Sequence, residues 1–199
     1  MVSSLRPAAC FLLLGAFLSP SYAYAQSVRI VALGDSNTAG YGVGRQDAFP
    51  AQLEAMLRSR GHDVQVSNAG ISGDTTRGML ARLDSAIPAG TQIVIVQGGY
   101  NDLRRGSSTD AIAANVDSML ARLGARQIRA VLCGFYDQPW GAIAKRHGAV
   151  FVPSSACYDI NHRGPDGLHM NATGHGVVAS RLLPTLETLV SGRQRRPAA

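Results

Sequence analysis

Residues 28–33 read Val-Arg-Ile-Val-Ala-Leu and run directly into Gly34-Asp35-Ser36-Asn37. A short, largely β-branched apolar run of this kind predicts a buried strand, here one that ends on a turn glycine. Working outward, Phe49, Leu53, Met56 and Leu57 recur at helical spacing and Gly61 closes the run, so the first strand is followed by a helix over residues 49–60. The same alternation continues to the end of the chain. Residues 64–68 predict a second strand, after which Thr75 or Thr76 caps a helix that places Met79, Leu80, Leu83 and Ile87 on one face before Pro88 and Gly90 stop it. Residues 93–97 (IVIVQ) predict a third strand, apolar on both sides. Thr109 opens a helix whose stripe is Ile112, Val116, Met119, Leu120 and Leu123. Strands over 128–133 and 150–152, a short helix over 142–147 and a closing helix over 172–190 complete the series. Five short apolar strands separated by helices predict a parallel sheet covered on both faces, a three-layer α/β/α domain, because the crossover helices must lie over the sheet. Ligands in such domains bind beyond the carboxyl ends of the strands, where the strand order reverses.

Composition agrees with one domain of this class. The chain has 199 residues, 46% hydrophobic and 16% charged, which is too apolar for disorder and sufficient for one sizeable core. No apolar run is long enough to span a bilayer as a helix, which excludes an integral membrane protein of that kind. The formal charge of +6 owes much to Arg193, Arg195 and Arg196 at the C-terminus and to Arg6 at the start. The remaining arginines are scattered without interleaved aromatics, so the basic balance predicts a solvated tail over residues 192–199 rather than a nucleic-acid partner.

The N-terminus has the layout of a secretory leader: Arg6, an apolar stretch over 8–18, a break at Pro20, and Ala23-Tyr24-Ala25 as a small-x-small site before Gln26. Cleavage near Ala25-Gln26 leaves residues 26–191 as the folded domain and predicts a periplasmic or secreted protein. Cys10 departs with the leader. Cys133 and Cys157 remain, either paired or as two buried thiols.

The predicted strand ends deliver the polar residues. Strand one ends in Gly34-Asp35-Ser36-Asn37, strand two in Asn68-Ala69-Gly70-Ile71-Ser72-Gly73-Asp74, and strand three in Gly98-Gly99-Tyr100-Asn101-Asp102. Asp166-Gly167-Leu168-His169 precedes the last helix. An aspartate three residues ahead of a histidine, with a glycine between, folds back in a turn so that its carboxylate meets Nδ1–H and Nε2 faces outward as a base. A serine hydroxyl is a poor nucleophile until an imidazole takes its proton, and the oxyanion formed on attack needs fixed donors. Ser36, His169 and Asp166 fit the first roles. The backbone N–H groups of Ser36 and Gly73 and the side-chain amide of Asn101 fit the last, and Gly73 suits close approach of substrate to the main chain.

In these blocks the sequence resembles the SGNH hydrolases, also called the GDSL esterase/lipase family: ALGDSNTAGYG carries the serine, NAGISGDT the glycine, GYND the asparagine and DGLH the histidine, in that order across nearly all of residues 26–199. The resemblance implies a flavodoxin-like sheet of order 2-1-3-4-5 and ester or thioester hydrolysis through an acyl-enzyme without a cofactor or metal. It also implies the roles just given for Ser36, Gly73, Asn101, Asp166 and His169. NAGISGDTT followed by Leu80 and Arg82-Leu83 is most similar to the small periplasmic branch of thioesterases, arylesterases and lysophospholipases. Two features depart from it. Tyr100 is bulky at the variable position of its block, where it narrows the acyl entrance or stacks on an aromatic leaving group. The stretch between Cys133 and Val150 is short for a crossover helix plus a substrate-covering loop. Both predict a short or medium acyl group.

Bland roles stand beside these. Asp74 and Asp102 suit bracing of loops or capping of helices, and Arg104 and Arg105 either line a solvated helix entrance or touch an acidic leaving group. His175 rivals His169 as base but has no aspartate three residues earlier. No histidine and acid cluster has zinc spacing. A carbohydrate O-acetylesterase or acetyltransferase would use the same residues, and a non-catalytic binding module is the alternative of a different class. The expected partner is a small ester or lipid-like substrate, and a monomer is expected.

Overall fold

The computed structural model describes residues 27–135 and 139–194. The leader expected over residues 1–25 and the end of the basic tail, residues 195–199, lie outside them. Five strands, β1 (Val28–Gly34), β2 (Val64–Gly70), β3 (Ile93–Gln97), β4 (Arg129–Cys133) and β5 (Val150–Val152), form one sheet. All pair in parallel in the order β2-β1-β3-β4-β5, the 2-1-3-4-5 sheet of the sequence expectation. Helices α1 (Ser36–Ala39), α2 (Phe49–Ser59), α3 (Thr76–Ala81), α4 (Leu83–Ala86), α5 (Tyr100–Arg104), α6 (Thr109–Ala125) and α7 (Trp140–Arg146) lie in the crossovers between strands, and α8 (Ser154–Cys157) and α9 (Ala172–Gln194) follow β5.

The period of two in β1 builds two cores. Ile30 and Ala32 point to one face, where Phe49, Leu53 and Leu57 of α2 meet Leu182 and Leu186 of α9. Val31 and Leu33 point to the other, against Met79, Leu83, Ile112, Met119 and Trp140 of the opposite helices. From Ile30 onward, residues on both faces of β1 are essentially solvent-free, as the apolar run requires of a strand covered on two sides, and only Arg29 near its start is exposed.

Two expectations change. The single helix expected after Thr75 is two, α3 and α4, with the break at Arg82. Arg82 has left the helical region (φ −99°, ψ 8°), and its guanidinium reaches back to Asp74 and the carbonyl of Gly34. Met79 and Leu83 still share the core side. The closing helix runs on through Pro184 to Gln194, past the expected end at residue 190. Cys133 and Cys157 are joined in a disulfide with Cα atoms 5.9 Å apart, which ties the end of β4 to α8.

Candidate active site

β1 ends beside both β2 and β3, with Gly34 in register with Gly70 on one side and Gln97 on the other. The chain turns sharply here into α1. A Cβ on Gly34 would lie 2.1 Å from Thr38 Oγ1 and 2.6 Å from the Gln97 carbonyl oxygen, so no other residue fits the turn. Asp35 caps α1 by accepting the Asn37 N–H at 3.0 Å. Ser36 is thereby the first helical residue.

His169 arrives from the other end of the chain. Gly164 to Gly167 form a tight turn, closed by the Gly167 N–H on the Gly164 carbonyl (3.0 Å) with Gly167 at φ +67°. The turn aims Asp166 back along the chain: Oδ1 accepts the Leu168 and His169 N–H groups at 3.0 and 2.9 Å, and Oδ2 lies 2.5 Å from His169 Nδ1. The bond to the imidazole, followed by the two backbone bonds, holds the Asp166 carboxyl at about 2, so it is ionised at any working pH. An ionised carboxylate accepts only, which makes Nδ1 the donor and leaves Nε2 with a lone pair. Nε2 lies 2.9 Å from Ser36 Oγ. The Tyr158 hydroxyl donates to the Leu168 carbonyl (2.5 Å), and the Tyr41 ring sits 4.4 Å from the imidazole, so the histidine is held from two sides.

The segment after β2 is pinned by cations. Gly73 is left-handed (φ +78°), its carbonyl accepts from Arg105 Nη2 at 2.8 Å, and the next carbonyl, of Asp74, accepts from Asn101 Nδ2 at 2.8 Å. Arg82 closes the frame by bonding the Asp74 carboxylate through Nε (2.8 Å) and the Gly34 carbonyl through Nη2 (3.1 Å). Buried Asp102 accepts from the Thr76 N–H and Oγ1–H at 2.9 and 2.6 Å. The Asn101 amide carries two hydrogens and spends one of them on Asp74. Tyr100 heads α5 with its ring edge-on to Phe135, 6.1 Å between centroids.

Ser36, Gly73, Tyr100, Asn101 and His169 all line one open cleft of about 1170 Å³. The cleft extends past Ser154 and Tyr158 to Ile160, so its length comes from α8 and the segment after it. Among the described residues, no group of three His, Cys, Asp or Glu side chains is placed to hold a metal.

The structure does not bring His175 into this cleft. It is buried between α9 and α2, where Nδ1 accepts the Phe49 N–H at 3.3 Å, and burial depresses it to about 4. His62, His147 and His162 face Glu187, Asp117 and Asp159 respectively. Sequence reading missed two features beside Ser36. One is a relay behind α1: Thr38 Oγ1 donates to Gln97 Oε1 (2.6 Å), and Gln97 Nε2 donates to the carbonyl of disulfide-bonded Cys157 (2.5 Å). The other is Asp35 itself, 3% exposed, whose carboxyl burial pushes up to about 6 despite the Asn37 N–H and the charge of His169. A polar residue ending a strand of pure apolar pattern is the only local signal for Gln97, and Asp35 reads as an ordinary cap.

Comparison with known proteins follows the same residues. A model of the GDSL-like lipase/acylhydrolase family matches residues 32–177. The chain is 37% identical over 106 residues to an arylesterase of Vibrio mimicus, a match that covers 53% of each protein. It is 28% identical over 182 residues to thioesterase 1/protease 1/lysophospholipase L1 of Escherichia coli K12, covering 81% of this chain and 85% of that one. The crystal structure of AlinE4, an SGNH-hydrolase family esterase, superposes with a TM-score of 0.62 at 30% identity, covering 83% of this chain and 98% of the other.

Proposed function

Because this chain belongs to the GDSL-like lipase/acylhydrolase family and is an ester hydrolase, we propose that it cleaves carboxylic esters or thioesters through an acyl-enzyme on Ser36. The observation that carries this is the relay from Ser36 Oγ to His169 Nε2 (2.9 Å) and from Nδ1 to Asp166 (2.5 Å) at the wall of an open cleft. Ser36 Oγ attacks the carbonyl carbon as its proton passes to Nε2, and the Asp166 carboxylate stabilises the imidazolium. The oxyanion accepts hydrogen bonds from the backbone N–H groups of Ser36 and Gly73 and from the Asn101 amide hydrogen not spent on Asp74. Collapse breaks the ester bond, and the alcohol or thiol leaves with the proton from Nε2. Water then attacks the acyl-enzyme with His169 again as base, which releases the acid and restores Ser36.

Tyr100 and Phe135 form the aromatic side of the cleft and receive the substrate there. The site acts on small or lipid-like esters, in line with the arylesterase and lysophospholipase likenesses. The leader pattern of residues 1–25 and the disulfide both favour export to an oxidising compartment.

Labelling by a fluorophosphonate tests the reading, with Ser36→Ala beside the wild type and a chain-length series of 4-nitrophenyl esters to size the acyl site. Labelling and turnover should vanish together in Ser36→Ala. A variant that still turns over its esters rejects Ser36 as nucleophile.

A further inference from the structure

Three arginines line the cleft, Arg104, Arg163 and Arg181, and they differ in what answers them. Asp159 is buried and ionised, held low by its bond to His162 and by Arg181, whose Nη2 lies 3.0 Å from its Oδ1, so that cation is answered. Asp166 accepts the His169 Nδ1–H, and Asp35, also in the lining, is close enough to interact with His169. Two other guanidinium groups lining the cleft, Arg104 and Arg163, face no carboxylate within ion-pair distance among the described residues. Arg163 is engaged by neutral acceptors, the carbonyls of Ile160 (2.9 Å) and Gly167 (2.8 Å). Arg104 has no hydrogen-bonded partner among the described residues. Its guanidinium lies instead over the ring of Tyr100, one turn earlier on α5, 5.8 Å from the centroid.

Arg104 is exposed, and the Tyr100 ring is the contact it makes there. The Tyr100 face holds the side chain along the cleft wall and lowers the entropy lost when its donors engage a ligand. All five N–H donors remain for an acceptor, in the planar fork that suits carboxylate and phosphate oxygens. Resting on the reading of Ser36 as nucleophile, we propose that Arg104, stacked on Tyr100, is an anion-recognition residue that selects esters bearing a carboxylate or phosphate group. The site's preference among esters is therefore set by charge as well as by acyl length.

The test compares kcat/KM on three esters in the wild type, Arg104→Gln and Arg104→Lys: neutral 4-nitrophenyl acetate, 4-nitrophenyl hemisuccinate with the anion on the acyl side, and 4-acetoxybenzoate with the anion on the alcohol side. For the anion on the correct side, the anionic-to-neutral ratio should fall about five- to tenfold in Arg104→Gln, mostly through KM, a range suited to a charged contact at an exposed rim. Arg104→Lys should retain part of it, and added salt should erode the wild-type ratio toward that of Arg104→Gln. The ester that responds tells on which side the anion binds. Ratios unchanged by Arg104→Gln for both anionic esters overturn the proposal. Failure of Ser36→Ala to abolish hydrolysis of 4-nitrophenyl acetate overturns the nucleophile reading instead, and the two failures are read from different variants.

Discussion

Asp35→Asn should stabilise the protein at neutral pH and make it a poorer enzyme. The Asp35 carboxyl is 3% exposed and burial raises it from the ordinary 3.8 to about 6. That gap corresponds to about 3 kcal/mol of preference for the protonated form in the folded state. The folded protein binds the proton more tightly than the unfolded chain does. Stability attached to this group is therefore complete below pH 3.8 and declines as pH rises to about 6, beyond which the folded state carries the full cost of a buried carboxylate. Asparagine keeps the oxygen that accepts the Asn37 N–H and removes the ionisation. Urea unfolding at pH 7.5 should show Asp35→Asn more stable than the wild type by roughly 2–3 kcal/mol, with the difference shrinking toward zero at pH 4. Turnover should fall at the same time, because the charge that is costly to bury lies close enough to interact with His169 and favours the imidazolium formed on attack. A stability difference of the same size at both pH values, or a variant less stable than the wild type at pH 7.5, refutes the reasoning.

Two further predictions concern the frame around Ser36. Asn101→Ala should lower kcat roughly 10²-fold with a smaller change in KM, since the lost donor acts on the oxyanion; single-turnover acylation near the wild-type rate would make Asn101 only a brace for the Asp74 carbonyl. Replacing both Cys133 and Cys157 by alanine opens a closure spanning 24 residues and should cost about 3 kcal/mol in denaturant unfolding, with a lower melting temperature by roughly 6–12 °C. A cost below about 1 kcal/mol would count against the chain-entropy account.

The parts of the protein legible in the sequence are those whose cause is local. The alternation of apolar periods marks β1 to β5 and the main helices within a few residues, because burial on two faces leaves the same imprint on every strand. Asp166 and His169 are three residues apart across a glycine, so their contact is a property of one turn and could be read from it. The break at Arg82 could not, since the side chain's partners, Asp74 and the Gly34 carbonyl, stand 8 and 48 residues away. The same holds for the relay from Thr38 through Gln97 to Cys157, whose links span 59 and 60 residues.

By itself the sequence determined which residues end the strands, and in a parallel sheet that is enough to put Ser36, Gly73, Asn101 and the histidine turn on one edge. Tertiary structure decided the rest: the contact of Ser36 with His169 across 133 residues, the pairing of Cys133 with Cys157, the burial that lifts Asp35, and the seating of Arg104 over the Tyr100 ring with no carboxylate in ion-pair reach among the described residues. Periodicity and turn chemistry act between neighbours in the chain. Desolvation and charge depend on everything that packs around a group, and that is known only once the chain has closed on itself.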